Sequence, residues 1–193
     1  MTAGSAVLAA LSDTHGRAAE AAAGLAALDA RNPAAFLHCG DVGDRRRDPG
    51  PVLDELARVA AGRPAYVVPG NNDQDPAALR AACEERGLTF GDPVAFTLNG
   101  VLIRGTHGTR GEQERIAAEL GGSAPAALVC SGHTHRRAWA VRERVIPGGG
   151  VRRVCLLNPG ALWRAAARSA AVVDLSDPAA PACEFLDVPR PPS

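Results

Sequence analysis

The sequence predicts an α/β fold in which two mixed β-sheets pack as a sandwich flanked by helices. Three observations predict it. Through Arg86, short apolar runs alternate with alanine- and leucine-rich helical segments, which implies parallel strands joined by right-handed crossovers. Beyond Arg86 the turn signals Asn99-Gly100 and Pro147-Gly148-Gly149-Gly150 each separate two apolar runs, as β-hairpins do. Finally, a series of short polar segments carrying histidine, aspartate and asparagine each follows an apolar run. Such segments belong at the C-terminal ends of strands, where open α/β sheets gather their sites.

Taken in order, Ala6–Leu11 is apolar without alternation, as in a strand buried on both faces. Arg17 to Ala30 reads as a helix that ends at Asn32-Pro33. Ala35–Leu37 is a second strand, running into His38-Cys39-Gly40-Asp41. Pro51 to Ala61 is a helix with proline in its first turn and Gly62 as its stop. Ala65–Val68 is a third strand and Pro76 to Arg86 a third helix. Pro93–Leu98 and Val101–Arg104 form the first hairpin, and Glu112 to Leu120 a short helix stopped by Gly121-Gly122. Ala127–Cys130 is a buried strand, and Ala138–Ile146 with Val151–Leu157 the second hairpin. Ala170–Leu175 and Cys183–Val188 are the last strands, with Pro189–Ser193 a loose tail. The expectation is one domain over residues 1–188, with no repeat and no linker.

Composition excludes several chemistries. Every basic residue is an arginine, so there is no P-loop lysine and no lysine for a Schiff base. Lys plus Arg balance Asp plus Glu at 21 each, so net charge makes no case for nucleic acid or an anionic membrane. The apolar Ala6–Leu11 is too short for a signal or a membrane span. The cysteines, Cys39, Cys83, Cys130, Cys155 and Cys183, are scattered, odd in number and set among apolar neighbours. Buried thiols in a cytoplasmic protein are the expectation.

Four of the five histidines lie in the polar segments. These read Asp13-Thr14-His15, Gly40-Asp41, Gly70-Asn71-Asn72-Asp73, Thr106-His107-Gly108 and Gly132-His133-Thr134-His135. Asp13 with His15, and His133 with His135, are spaced by two, so each pair can grip one cation from a strand end. Gly40 allows a sharp turn that aims the Asp41 carboxylate into a pocket. A carboxylate can bridge two cations, a neutral imidazole cannot, and Asn71 offers a neutral carbonyl oxygen. Mixed nitrogen and oxygen donors suit manganese, iron or zinc, and the donor count suits two cations with positions open for water and substrate. His38, inside an apolar strand, reads as a core residue with its side chain directed away from that of Cys39. Arg45-Arg46-Arg47 reads as a solvated loop rather than a phosphate contact. Asp73 reads as a cap for the helix near Pro76. Trp139 and Trp163 read as packing residues, and Asn158-Pro159-Gly160 as either a pocket rim or a plain turn.

The ordered set Asp-x-His, Gly-Asp, Gly-Asn-x-Asp, His-Gly and Gly-His-x-His resembles the calcineurin-like metallophosphoesterase superfamily, in its compact bacterial and archaeal phosphodiesterase branch. The resemblance runs from Asp13 to about Gly160. It implies one metal held by Asp13, His15, Asp41 and His135, and another held by Asp41 as bridge, Asn71, His107 and His133. It also implies a phosphoester substrate attacked by a water or hydroxide bridging the two ions. Manganese is the first choice of metal, with iron, zinc and nickel as alternatives. Larger members of the superfamily carry histidine as a general acid where this chain has Asn72, and compact members often carry cysteine there. An amide cannot donate a proton near neutral pH, so Asn72 is left to hydrogen-bond the phosphoryl group, and monoesters with poor leaving groups become unfavourable substrates. The expected activity is therefore a dinuclear metal-dependent phosphodiesterase. The alternatives are a phosphomonoesterase or nucleotidase, and a non-catalytic protein-binding scaffold on the same fold. A homodimer is compatible with an exposed sandwich edge, without a residue-level argument.

Overall fold

The computed structural model describes residues 6–120, 126–146 and 150–191. In chain order the elements begin with β1 (Val7–Leu11), α1 (Ala18–Asp29), β2 (Ala35–His38), α2 (Gly50–Ala60), β3 (Ala65–Val67) and α3 (Pro76–Glu84). There follow β4 (Thr89–Phe90), β5 (Val94–Leu98), β6 (Val101–Gly105), α4 (Glu112–Glu119) and β7 (Ala126–Cys130). The chain finishes with β8 (Ala138–Ile146), β9 (Gly150–Asn158), β10 (Ser169–Asp174) and β11 (Ala182–Asp187).

One sheet has six strands in the order β11-β10-β1-β2-β3-β4, the other five in the order β5-β6-β7-β9-β8. The pairs β1–β2, β2–β3, β3–β4, β6–β7 and β7–β9 are parallel. The expected hairpins are both antiparallel, with Leu98 opposite Val101 and Ile146 opposite Gly150. The turn at 147–149, the Gly121-Gly122 stop and residues 192–193 of the tail lie outside the described residues. The two-residue β4 is an addition to the elements read from sequence; a strand this short carries no period to detect.

Strand alternation sorts the core into layers. Leu8, Ala10 and Leu37 face inward and meet Ile103, Leu128, Cys155 and Leu157 of the second sheet. Ala9, Leu11 and Phe36 face the other way, against Leu25 and Leu28 of α1 and Leu53 and Leu56 of α2. On the outer face of the second sheet, Ile116 and Ala117 of α4 cover Val129 and Val154. The result is four layers, helix, sheet, sheet, helix. Leu8, Leu25, Leu28, Leu53, Leu56 and Leu128 are fully buried, and each such burial is worth about 1.5–3 kcal/mol. Both sheets are covered on their central strands, which is why those strands read as continuous apolar runs.

Because β1, β2 and β3 are mutually parallel, as are β6 and β7, the loops that leave their C-terminal ends share an edge of each sheet. Ladder-like backbone bonds extend this order past the strands: Asp13 N donates to Gly40 O, His15 N to Asp41 O and Gly16 N to Val42 O. Among the described residues no helix is long and apolar enough to cross a membrane.

Candidate metal centre

All the residues singled out as ligands meet at this edge. Asp13, His15, Asp41 and His135 bring ligand atoms within 4.8 Å of one another, forming a candidate metal site. His135 Nε2 lies 3.1 Å from Asp13 Oδ1, and His15 Nε2 lies 3.6 Å from Asp41 Oδ2. On the other side of Asp41, His107 Nε2 stands 3.5 Å from the same Oδ2. Asn71 Oδ1 is 3.1 Å from His107 Nε2 and 2.9 Å from His133 Nδ1. Asp41 therefore stands between two sets of donors.

The backbone is strained to achieve this. Asp13, His15, Asp41, His133 and His135 all adopt positive φ, between 50° and 70°. Non-glycine residues in this region cost of order 1 kcal/mol or more each and persist where the surroundings over-determine them. Two glycines are required by close approach. Gly40 has φ +89°, and a Cβ there would sit 2.6 Å from His107 Nδ1. A Cβ on Gly70 would sit 2.1 Å from Asp41 Oδ1 and 2.2 Å from its backbone nitrogen.

The histidines are also oriented from behind. His107 Nδ1 donates to the Cys39 carbonyl (2.8 Å) and His135 Nδ1 to the Arg164 carbonyl (3.4 Å). In each neutral ring this leaves the Nε2 lone pair facing the site, the arrangement that metal-binding histidines use. Among the described residues, both ring nitrogens of His15 are buried without a hydrogen bond, and Asp13 Oδ1 is buried with His135 Nε2 as its neighbour at 3.1 Å. Buried polar atoms left in this state cost free energy unless something satisfies them. The donor set and its unsatisfied atoms fit divalent cations.

Asn72 does something other than reach outward. Its backbone N–H donates to Asp41 Oδ1 (2.8 Å) and its side-chain amide to Asp41 Oδ2 (2.7 Å), so it orients that carboxylate. The expectation that Asp73 caps the next helix is overturned. Asp75 Oδ1 caps α3 by accepting from Ala77 and Ala78. The Asp73 carboxylate instead accepts from the backbone N–H groups of Val42, Gly43 and Gly70, tying the loop after β2 to the loop after β3. Two acidic residues in a short polar stretch, Asp73 and Asp75, look alike in sequence, and only the packing of the two loops separates them. Asn158 makes a similar tie, its amide donating to Gly132 O (2.6 Å) and to Thr134 Oγ1. Trp163 packs under the Arg17 guanidinium, 3.1 Å from the ring centroid, and its backbone N–H donates to Asp13 O. His38 is a core residue as expected, its Nε2 3.0 Å from Thr14 Oγ1, and burial pushes its pKa down to about 4.

Arg45 and Arg46 lie on an exposed loop, in keeping with the solvated-loop reading. With Arg164 they also form the wall of a cleft of about 310 Å³ that includes His15 and Asn72. A tight turn in which Asp44 and Arg47 exchange backbone hydrogen bonds holds them there. That turn closes on backbone atoms, so composition alone could not reveal it.

Compared with known proteins, residues 7–178 match the model of the calcineurin-like phosphoesterase superfamily domain. The chain belongs to this superfamily. The fold of this phosphoesterase is similar to that of a solved archaeal phosphodiesterase, with a TM-score of 0.69 at 19% identity over 93% of this chain and 99% of that one. It is also similar to YfcE, a phosphoesterase from E. coli, with a TM-score of 0.58 at 19% identity over 95% and 100%. A dimetal phosphatase from Danio rerio aligns with a TM-score of 0.56 at 10% identity over 89% and 93%. No curated protein matches the chain.

The electrostatics of the centre follow from one pair. Burial raises the Asp41 pKa, but hydrogen bonds from His107 and Asn72 outweigh it and hold the carboxylate well below its usual range. Burial opposes charge on His107, yet the Asp41 carboxylate pushes its pKa up to about 9. In His15 burial dominates and the pKa falls; in His135 the Asp13 carboxylate dominates and it rises. The metal-free protein is thus stabilised by His107 fully below its unfolded pKa of about 6.5, and this contribution is lost as pH rises through about 9. For a rise from 6.5 to about 9 the expected loss is roughly 3 kcal/mol. Urea melts of chelator-treated protein between pH 6 and 9.5 measure it, and His107→Gln flattens the slope.

Proposed function

We propose that this phosphoesterase is a dinuclear, metal-dependent phosphodiesterase. The observation that carries the reading is the position of Asp41 Oδ2, 3.6 Å from His15 Nε2 on one side and 3.5 Å from His107 Nε2 on the other. Asp13, His15, Asp41 and His135 hold one ion, and Asp41, Asn71, His107 and His133 hold the second. Manganese suits this mixed nitrogen and oxygen set, with iron, zinc or nickel as alternatives. Bound there, two divalent ions supply Lewis acidity toward the phosphoryl oxygens and lower the pKa of water.

The chain's own residues complete the site. Asn72 fixes both oxygens of Asp41 and so sets the carboxylate's angle between the two donor sets. The Cys39 and Arg164 carbonyls fix the tautomers of His107 and His135. Arg45, Arg46 and Arg164 face the cleft with guanidinium groups that form no ion pair among the described residues, ready to bind phosphoryl oxygens. No side chain at the Asn72 position can protonate a leaving alkoxide, which favours diesters with good leaving groups over alkyl monoesters. The archaeal neighbour's description as a phosphodiesterase supports the same choice.

The test is hydrolysis of bis(4-nitrophenyl) phosphate and 4-nitrophenyl phosphate by chelator-stripped protein while manganese is titrated back. Manganese restores activity, with the diester preferred about tenfold or more in kcat/KM. Bound metal without turnover of either ester would instead favour the scaffold reading.

A further inference from the structure

Beside the catalytic cleft lies a second, larger groove of about 470 Å³, between the loop after β2 and the exposed face of α3. The two depressions are continuous: Asp44, Arg45, Arg46 and Asn72 line both. A molecule held by its phosphoryl group at the arginines therefore has this recess directly next to it. The volume falls in the range of small-molecule sites, about 300–1,000 Å³.

The chemistry of the groove is two-sided. Its floor is apolar, made by Pro49, Ala78, Leu79 and Ala82. Its rim carries acceptors that the fold does not consume. Asp48 uses Oδ1 on Gly50 N–H and Asp75 uses Oδ1 on the first turn of α3, which leaves Oδ2 of each without a hydrogen bond among the described residues. The Gln74 amide on the same rim makes no hydrogen bond among the described residues. Arg45, Arg46 and Arg47 offset these carboxylates, so the groove as a whole carries little net charge. A charged occupant gains little from it. A neutral ring with one apolar face and hydroxyl or N–H donors on its edge gains on both surfaces.

Resting on the phosphodiesterase reading above, we propose that this groove binds one ester group of the substrate: a neutral group of nucleoside size, flat on one side and hydrogen-bonding at its edge. Ala78 sets the depth of the recess. It is exposed on α3 and belongs to neither donor set, so enlarging it fills the groove without touching the metal centre.

The experiment compares wild type with Ala78→Trp on two manganese-dependent substrates, thymidine 5′-(4-nitrophenyl phosphate) and methyl 4-nitrophenyl phosphate. Ala78→Trp lowers kcat/KM about tenfold or more on the thymidine ester and changes the methyl ester less than about twofold. Equal effects on both esters, or no effect on either, overturn the assignment. A second readout needs no turnover: saturation-transfer NMR of free thymidine with metal-free protein. Transfer that is present in wild type and lost in Ala78→Trp supports the groove, and absence of transfer in wild type overturns it. Thymidine binding with neither ester hydrolysed sinks the phosphodiesterase reading while upholding the groove. Arg80→Trp, on the same exposed helix but outside the groove, controls for a bulky residue and leaves both readouts unchanged.

Discussion

Asp41→Ala abolishes manganese-dependent hydrolysis, with a loss of about a thousandfold or more, equivalent to roughly 4 kcal/mol of transition-state stabilisation. The size of the effect follows from what the carboxylate touches. Its two oxygens accept from both Asn72 donors, and Oδ2 faces His15 and His107. Removing it takes a donor from both halves of the centre at once, so metal content falls as well as turnover. His107 also loses the anion that keeps it charged, and its pKa drops toward or below the ordinary histidine value as burial takes over. Plasma emission spectroscopy for bound manganese and a diester assay read the two consequences separately. Asp41→Asn preserves shape and the Asn72 N–H contact while removing the charge, and is expected to fail in the same way. Near-normal turnover in either variant would sink the assignment.

Gly70→Ala has the second largest effect, and it is structural. The added methyl would lie 2.1 Å from Asp41 Oδ1 and 2.2 Å from the Asp41 backbone nitrogen. A backbone atom cannot swing aside as a flexible side chain can, so the loop after β3 must withdraw. That withdrawal breaks the Gly70 N–H bond to Asp73 and with it the tie between the two loops. A destabilisation of about 3 kcal/mol is expected. For a chain of this size that corresponds to a Tm lower by roughly 6–12 °C. Manganese binding weakens as well, because Asn71 and Asn72 leave their positions beside Asp41. A melting point within a degree of wild type, with unchanged manganese affinity, would show that the loop has room the structure does not record.

Much of the fold was legible because its signals are local. Ala6–Leu11 and Ala127–Cys130 are unbroken apolar runs, and both are strands covered on two faces. Asn99-Gly100 closes β5 on β6 because both of its residues accept positive φ, 46° and 78°. The candidate ligands were legible for a related reason. Histidine and aspartate are uncommon directly after buried strands, and parallel pairing delivers every such segment to the same edge. What was not legible has the opposite character. Asp73 and Asp75 are both plausible caps by spacing, and the choice rests on two loops meeting. Arg45 and Arg46 look like any exposed charge run until a four-residue turn sets them against His15 and Asn72. Arg164 carries no motif at all, yet its carbonyl holds His135 and its side chain closes the cleft.

The sequence by itself determined which residues are candidates to carry the chemistry, because donor type and spacing of two after a strand are properties of neighbours along the chain. It also determined the two-sheet class, since period and turn chemistry are local. Tertiary structure alone decided how those residues are aimed. The left-handed backbone at Asp13, His15, Asp41, His133 and His135 is unfavourable for each residue taken singly. It persists because bonds between distant segments enforce it: Asp73 to Val42 and Gly43, Asn158 to Gly132, Asn72 to Asp41. Such bonds join groups tens of residues apart, and their energy depends on the approach of two loops rather than on the propensity of either.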